Sequence, residues 1–184
     1  TPNMRDLSLH TLDIADNGIT AGADCLHILV EEDRTAARLT VISTDTGHGM
    51  SAAKITRLAD PFVTSRTTRR VGLGLSLLAA AAERCEGLLS VETEPDAGTK
   101  VKATFLYSHI DRAPMGDMAA TITTLIRGNP QIEFVYTHIT DGEEFTLDTR
   151  KLKAEMGYLS VTNPVVIHHF TASIRNSRGQ LTAK

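Results

Sequence analysis

The chain has 184 residues, 41% of them hydrophobic and 22% charged, with a formal net charge of −3. That length suits one substantial domain or a domain with a small appendage. The slight acidity argues against nucleic acid or an anionic membrane as the main partner, because both call for a basic face. No apolar run approaches the roughly 20 residues that span a bilayer, and the start lacks the pattern of a signal peptide, so a cytoplasmic protein is expected. Cys25 and Cys85 have no metal-ligand spacing and read as free thiols.

In chain order, Leu9, Leu12, Ala15 and Ile19 recur at helical spacing and predict an amphipathic helix over Leu7–Ile19, closed by Gly18 and Gly22. The apolar runs Cys25–Val30 and Leu39–Ile42, separated by the polar Glu31-Glu32-Asp33-Arg34, read as a hairpin. Asp45–Met50 is a glycine-rich loop, and Ser51 is an N-cap for a short helix through Leu58 that Asp60-Pro61 ends. Val63–Gly72 is polar, basic and without periodicity, hence a mobile loop. After it come a helix over Leu75–Arg84 and strands over Leu88–Glu92 and Lys100–Tyr107, joined by the turn Glu94–Gly98. Beyond Asp111 the pattern gives a helix near Asp117–Arg127, a strand near Ile132–Thr137, a turn at Thr140-Asp141-Gly142, a strand at Glu144–Leu147 and a helix over Arg150–Met156. Asn163–Ile174 is ambiguous between strand and helix, and the polar Arg175–Lys184 is expected to fray. The order suits a mixed sheet with helices on one face.

Asp13 and Asn17 lie one helical turn apart on one face. A carboxamide oxygen is a suitable Mg²⁺ ligand, and a carboxylate one turn earlier can act as general base on a water. Asp45 follows a strand and precedes Gly47 and Gly49, where it can accept from an exocyclic amine such as that of adenine. Gly72-Leu73-Gly74 opens a helix, an arrangement that offers amides and a positive dipole end to phosphates. Thr99 follows a turn into the last strand of this region and can donate near a base. Each element alone is commonplace: an Asp/Asn pair on a helix is usually a solvated edge, and D-x-G-x-G is usually a turn. His10 and the adjacent His168 and His169 read as ordinary helical or surface histidines, and Arg69-Arg70 reads equally as a phosphate contact or a solvated loop.

The four elements in this order resemble the Bergerat ATP-binding fold of the gyrase, heat-shock chaperone, histidine kinase and mismatch-repair ATPases, the GHKL superfamily. The resemblance runs from about Leu7 to Phe105. Asp13-Ile-Ala-Asp-Asn17-Gly-Ile-Thr-Ala-Gly22-Ala is similar to the mismatch-repair asparagine box, and Asp60-Pro-Phe62-Val-Thr64-Ser-Arg66 with Gly72-Leu-Gly-Leu-Ser-Leu is similar to the histidine-kinase lid and second glycine box. The resemblance implies an α/β sandwich with a mixed, mostly antiparallel sheet, a GHKL domain over residues 1–108 and an α+β extension over 109–184. It also implies that Asn17 holds Mg²⁺, Asp45 reads adenine, Gly47 and Gly49 approach the ring, and Thr99 supports the base. Gly72, Leu73 and Gly74 then wrap the phosphates, Phe62 and Thr64 belong to the nucleotide-binding lid, and Arg66 faces the terminal phosphate. Asp13 stands where hydrolysing members carry Glu, one methylene longer, so water activation is expected to be slow or absent.

The resulting expectation is a regulatory or assembly module that binds ATP and Mg²⁺, orders its lid and acts on a protein partner. Similarity to small ATP-binding proteins that accompany iron hydrogenase subunits points to a redox complex as that partner. The alternatives are a protein kinase acting in trans on Ser or His, as in the anti-sigma-factor kinases of the superfamily, and a structural subunit without turnover.

Overall fold

A computed structural model of the chain describes residues 6–49, 73–157 and 159–182. The expected helix starting at Ser51 and the basic loop leading to Gly72 lie outside these residues. The first helix, α1 (Leu7–Thr20), starts at Asp6, whose carboxylate accepts from the Leu9 amide at 2.9 Å. Its buried face differs from the apolar stripe read from sequence: Leu9 is 41% exposed, whereas His10 and Thr11 are buried with Leu7, Ile14 and Ala15. The reason is a second neighbour. A C-terminal helix packs against α1, and its Thr121 hydroxyl donates to the Ser8 carbonyl.

Strands β1 (Cys25–Asp33) and β2 (Arg38–Asp45) pair antiparallel in a register from Leu26 opposite Asp45 to Asp33 opposite Arg38. The polar run Glu31–Asp33 is therefore strand rather than connection. Helix α2 (Leu73–Glu83) leads to β3 (Leu89–Glu94) and β4 (Gly98–Leu106), a hairpin that pairs through β4 with β2. The C-terminal segment adds α3 (Met118–Gly128), β5 (Glu133–Thr140), β6 (Glu143–Asp148), α4 (Thr149–Met156) and α5 (Pro164–Thr182). The stretch read as ambiguous is thus helical, and the expected fraying is not seen: α5 runs on to Thr182, with Ser177 buried and Arg175 bonded to Asp117 at the start of α3.

The strand order is β3-β4-β2-β1-β5-β6, with β5 parallel to β1 and every other pair antiparallel. The strands of the C-terminal segment thus continue the sheet of the first half. One face carries Leu26, Ile28 and Val30 of β1, Leu39 and Val41 of β2, Val101, Ala103 and Phe105 of β4, and Phe134 and Tyr136 of β5, all buried in one core with the helices. The opposite face presents Thr44 and Lys102 to solvent, the alternation that a sheet covered on one side requires.

A polar network crosses the junction of the two halves. Glu32 of β1 is buried, with Nε2 of His138 2.8 Å from Oε1 and the Tyr107 hydroxyl donating to Oε2 at 3.2 Å. On the far side of the ring, Nδ1 of His138 is 2.9 Å from the Tyr136 hydroxyl. A carboxylate enters a core only with partners of this kind, and here they come from distant parts of the chain. Glu32→Ala leaves His138 and Tyr107 facing a void, and is expected to destabilise the chain by about 3 kcal/mol, as breaking a buried pair does. Urea denaturation measures this, and the Glu32→Ala/His138→Ala double variant should cost less than the sum of the single variants.

Candidate functional site

Helix α1 brings the expected residues together. Asp13 and Asn17 are both half-buried on it. The first turn of α2 approaches at Asp13: a Cβ built on Gly74 would lie 3.1 Å from the Asp13 Cβ. One turn further on, Gly18 lies against Asp45, and a Cβ there would sit 2.8 Å from the Asp45 Cβ and 3.1 Å from Oδ2. At its C-terminal end, the carbonyl of Ala21 accepts from the His48 amide at 2.9 Å. Three successive turns of one helix thus touch the start of α2, the Asp45 carboxylate and the loop that follows it.

Asp45 is the last residue of β2, placed opposite Thr99 of β4 and Leu26 of β1. Its Oδ1 accepts from the Gly47 amide at 2.9 Å. Burial pushes its carboxyl above the ordinary value of 3.8, and the amides of Gly47 and Thr99 oppose that shift in part. Thr99 is buried, and its hydroxyl is 3.0 Å from that of Thr93, which in turn donates to the Gly98 carbonyl. Gly49 adopts φ +68°, and a Cβ there would come 2.0 Å from the Glu94 carbonyl oxygen, so only glycine lets the loop close against the β3–β4 turn. Asp96 in that turn donates its amide to the His48 carbonyl at 2.8 Å.

Asp13, Asn17, Asp45, Gly47, Gly49, Gly74 and Thr99 therefore surround one region, and Leu73 is the first residue of α2. Phe62, Thr64, Arg66 and Gly72 lie outside the described residues. From sequence Gly18 is expected only to close the helix, but α1 runs through it to Thr20, and Thr46 and Thr93 carry no expected role. Gly18 had a local signal, being a glycine in mid-helix one residue after Asn17, which costs a helix about 1 kcal/mol relative to alanine and so points to a close neighbour. Thr46 and Thr93 owe their place to cross-strand contacts that no spacing reveals.

The donors suit a nucleotide. A half-buried carboxylate with bare glycine beside it is an acceptor for a planar amine; Asn17, whose carboxamide makes no hydrogen bond to a described side chain or backbone group, offers an oxygen to a hard cation; and the start of α2 offers a helix N-terminus to phosphate. An α/β layer with these features is a nucleotide-binding ATPase module. The chain belongs to the family of histidine kinase-, DNA gyrase B-, and HSP90-like ATPases, whose profile matches residues 5–109. It is 32% identical over 105 residues to the Non-motile and phage-resistance protein of Caulobacter vibrioides, covering 54% of this chain and 12% of that protein. To Sporulation kinase A of Bacillus subtilis it is 31% identical over 78 residues, 42% of this chain and 12% of the kinase. Its fold is similar to the crystal structure of the N-terminal domain of a DNA repair protein, with a TM-score of 0.51 at 18% identity over 78% of this chain and 52% of that one. Among the described residues no helix is long and apolar enough to cross a membrane.

The burial of Asp45 has a pH signature. A carboxyl raised in the folded state contributes stability that is full below its unfolded value and is lost as pH rises through the folded value. Asp45→Asn removes the charge and keeps an acceptor for the Gly47 amide. This variant is expected to melt above the native chain at about pH 7 and to lose that advantage as the pH falls through the raised folded value, the loss being complete below the ordinary value of 3.8. Thermal unfolding across this range reads it out.

Proposed function

We propose that the chain is an ATP-binding regulatory module that uses Mg·ATP to order residues 63–71 and so controls a protein partner in the cytoplasm. The observation that carries this reading is the placement of Asp45, half-buried at the end of β2 against Gly18 and opposite Thr99. In this reading Asp45 accepts from the adenine amine, Thr99 supports the base from the neighbouring strand, and Gly47 and Gly49 keep the loop low against the ring. Asn17 holds Mg²⁺, which would neutralise phosphate charge when bound. Gly72, Leu73 and Gly74 wrap the phosphates at the head of α2, with Phe62, Thr64 and Arg66 supplying the lid. Asp13, next to Gly74, is placed to orient a water, but its short side chain makes turnover slow.

The partner follows from the sequence resemblance to proteins that accompany iron hydrogenase subunits, which makes a multi-subunit redox complex the first candidate. A second reading, a protein kinase acting in trans, is favoured by the likeness to Sporulation kinase A. This chain spans only 12% of that protein's length, so the likeness concerns the ATP module alone.

Calorimetric titration with Mg·ATP, run beside a phosphate-release assay, tests the reading. The native chain should bind; Asn17→Ala should bind at least about tenfold more weakly, the cost of losing an interaction with a charged group. Asp13→Ala should bind normally and lose what turnover there is. Native-like Mg·ATP affinity in both Asn17→Ala and Asp45→Ala would sink it.

A further inference from the structure

The strand ladder that holds Asp45 stops at Asp45 itself, yet the chain must turn there from the sheet towards α1 without letting the carboxylate fray. Thr46 supplies what the ladder no longer does. Its hydroxyl oxygen accepts from the amides of Asp24 and Cys25, each at 3.0 Å, and its own amide donates to the Cys25 carbonyl at 3.2 Å. Pairing with the head of β1 is thereby prolonged by one residue beyond Asp45. The peptide group that joins Asp24 to Cys25 is also engaged on its other side, where the Asp24 carbonyl accepts from the amide of Glu133, the first residue of β5, at 2.9 Å. A continuous path of hydrogen bonds therefore runs from Glu133 in the C-terminal segment, through the peptide group joining Asp24 to Cys25 and on to the Thr46 hydroxyl, beside Asp45.

We infer that Thr46 is the positioning residue for the base-reading carboxylate, and that through Asp24 the first strand of the C-terminal segment holds the loop on which base recognition depends. The inference rests on the reading of Asp45 as the acceptor for the adenine amine. Thr46 touches no base in this scheme. It fixes the direction of the Asp45 side chain, which at a frayed strand end would sample several rotamers. Serine keeps the acceptor oxygen; valine, of nearly the same shape, removes it and leaves two amides to find water.

The test uses the full chain titrated with Mg·ATP and with Mg·ITP, whose base carries a carbonyl where adenine carries its amine. The native chain is expected to prefer ATP. Thr46→Val should narrow that preference about fivefold, the low end of what two lost hydrogen bonds cost because both amides reach solvent, with ITP affinity nearly unchanged. Thr46→Ser should restore the native ratio. A merely structural role would weaken both nucleotides alike, so an unchanged ATP-to-ITP ratio in Thr46→Val overturns the inference. Amide exchange at Asp24, read by NMR on the native chain, needs no variant: protection there supports the bond to Thr46, and exchange at the rate of an open loop overturns it. If Asp24 is protected but the native chain binds no ATP, the adenine reading itself fails and this role falls with it.

Discussion

The close approach of α1 to the end of β2 is the constraint on which the rest of the site depends. A helix crossing a sheet normally stands off by the width of side chains, but at Gly18 the backbone comes within reach of the Asp45 carboxylate. That proximity fixes where the loop after β2 can go, because its next contact with the helix, His48 to Ala21, lies less than one turn away. It also fixes where α2 can begin, since Gly74 meets the same helix at Asp13, on the N-terminal side. Loops of different sequence origin are thus brought to one place by a single rigid element, which is how a site gains precision without a rigid loop.

The sheet behind this arrangement is wider than the family match alone would give. β5 and β6 lie beyond residue 109, yet β5 pairs with β1 along eight residues, from Cys25 opposite Glu133 to Glu32 opposite Thr140. β1, which would otherwise be an edge strand, becomes interior. This placement helps explain a buried glutamate in a strand: β5 puts His138 beside Glu32, and Tyr107, just after β4, donates to its other oxygen. α3 then packs against α1, where His10 and Thr11 are interior residues. The C-terminal segment thus contacts the elements of the site twice, β5 beside β1 in the sheet and α3 against α1.

These features divide what can be read from the residues from what cannot. The helix carrying Asp13 and Asn17, the hairpin ending at Asp45 and the turn into Thr99 were legible because each rests on local periodicity and turn chemistry, and the order of the motifs carried the family. The buried stripe of α1 was misread because it faces two partners, one of them more than a hundred residues away, so apolar spacing alone pointed at Leu9 rather than His10. Glu31–Asp33 was read as a connection for a similar reason: three acidic residues look like a solvated turn until a histidine from another strand is placed against the middle one. The close contact at Gly18 was written in the sequence as a glycine where a helix disfavours one, but its partner was not.

Burying a carboxylate at the end of β2 costs the fold stability, since desolvation raises its proton affinity and only the Gly47 and Thr99 amides push back. A neutral side chain would serve the sheet better. Retaining the acid makes sense where an amine is to be recognised, because a charged carboxylate oxygen rejects a ligand that presents a carbonyl at the same position more strongly than a neutral amide would. The geometry around Asp45 limits how far the charge can relax: bare glycine on one side, a strand on the other and a tethered loop ahead. The desolvation cost is therefore local, and the core built on Leu26 and Phe134 holds the strand against it.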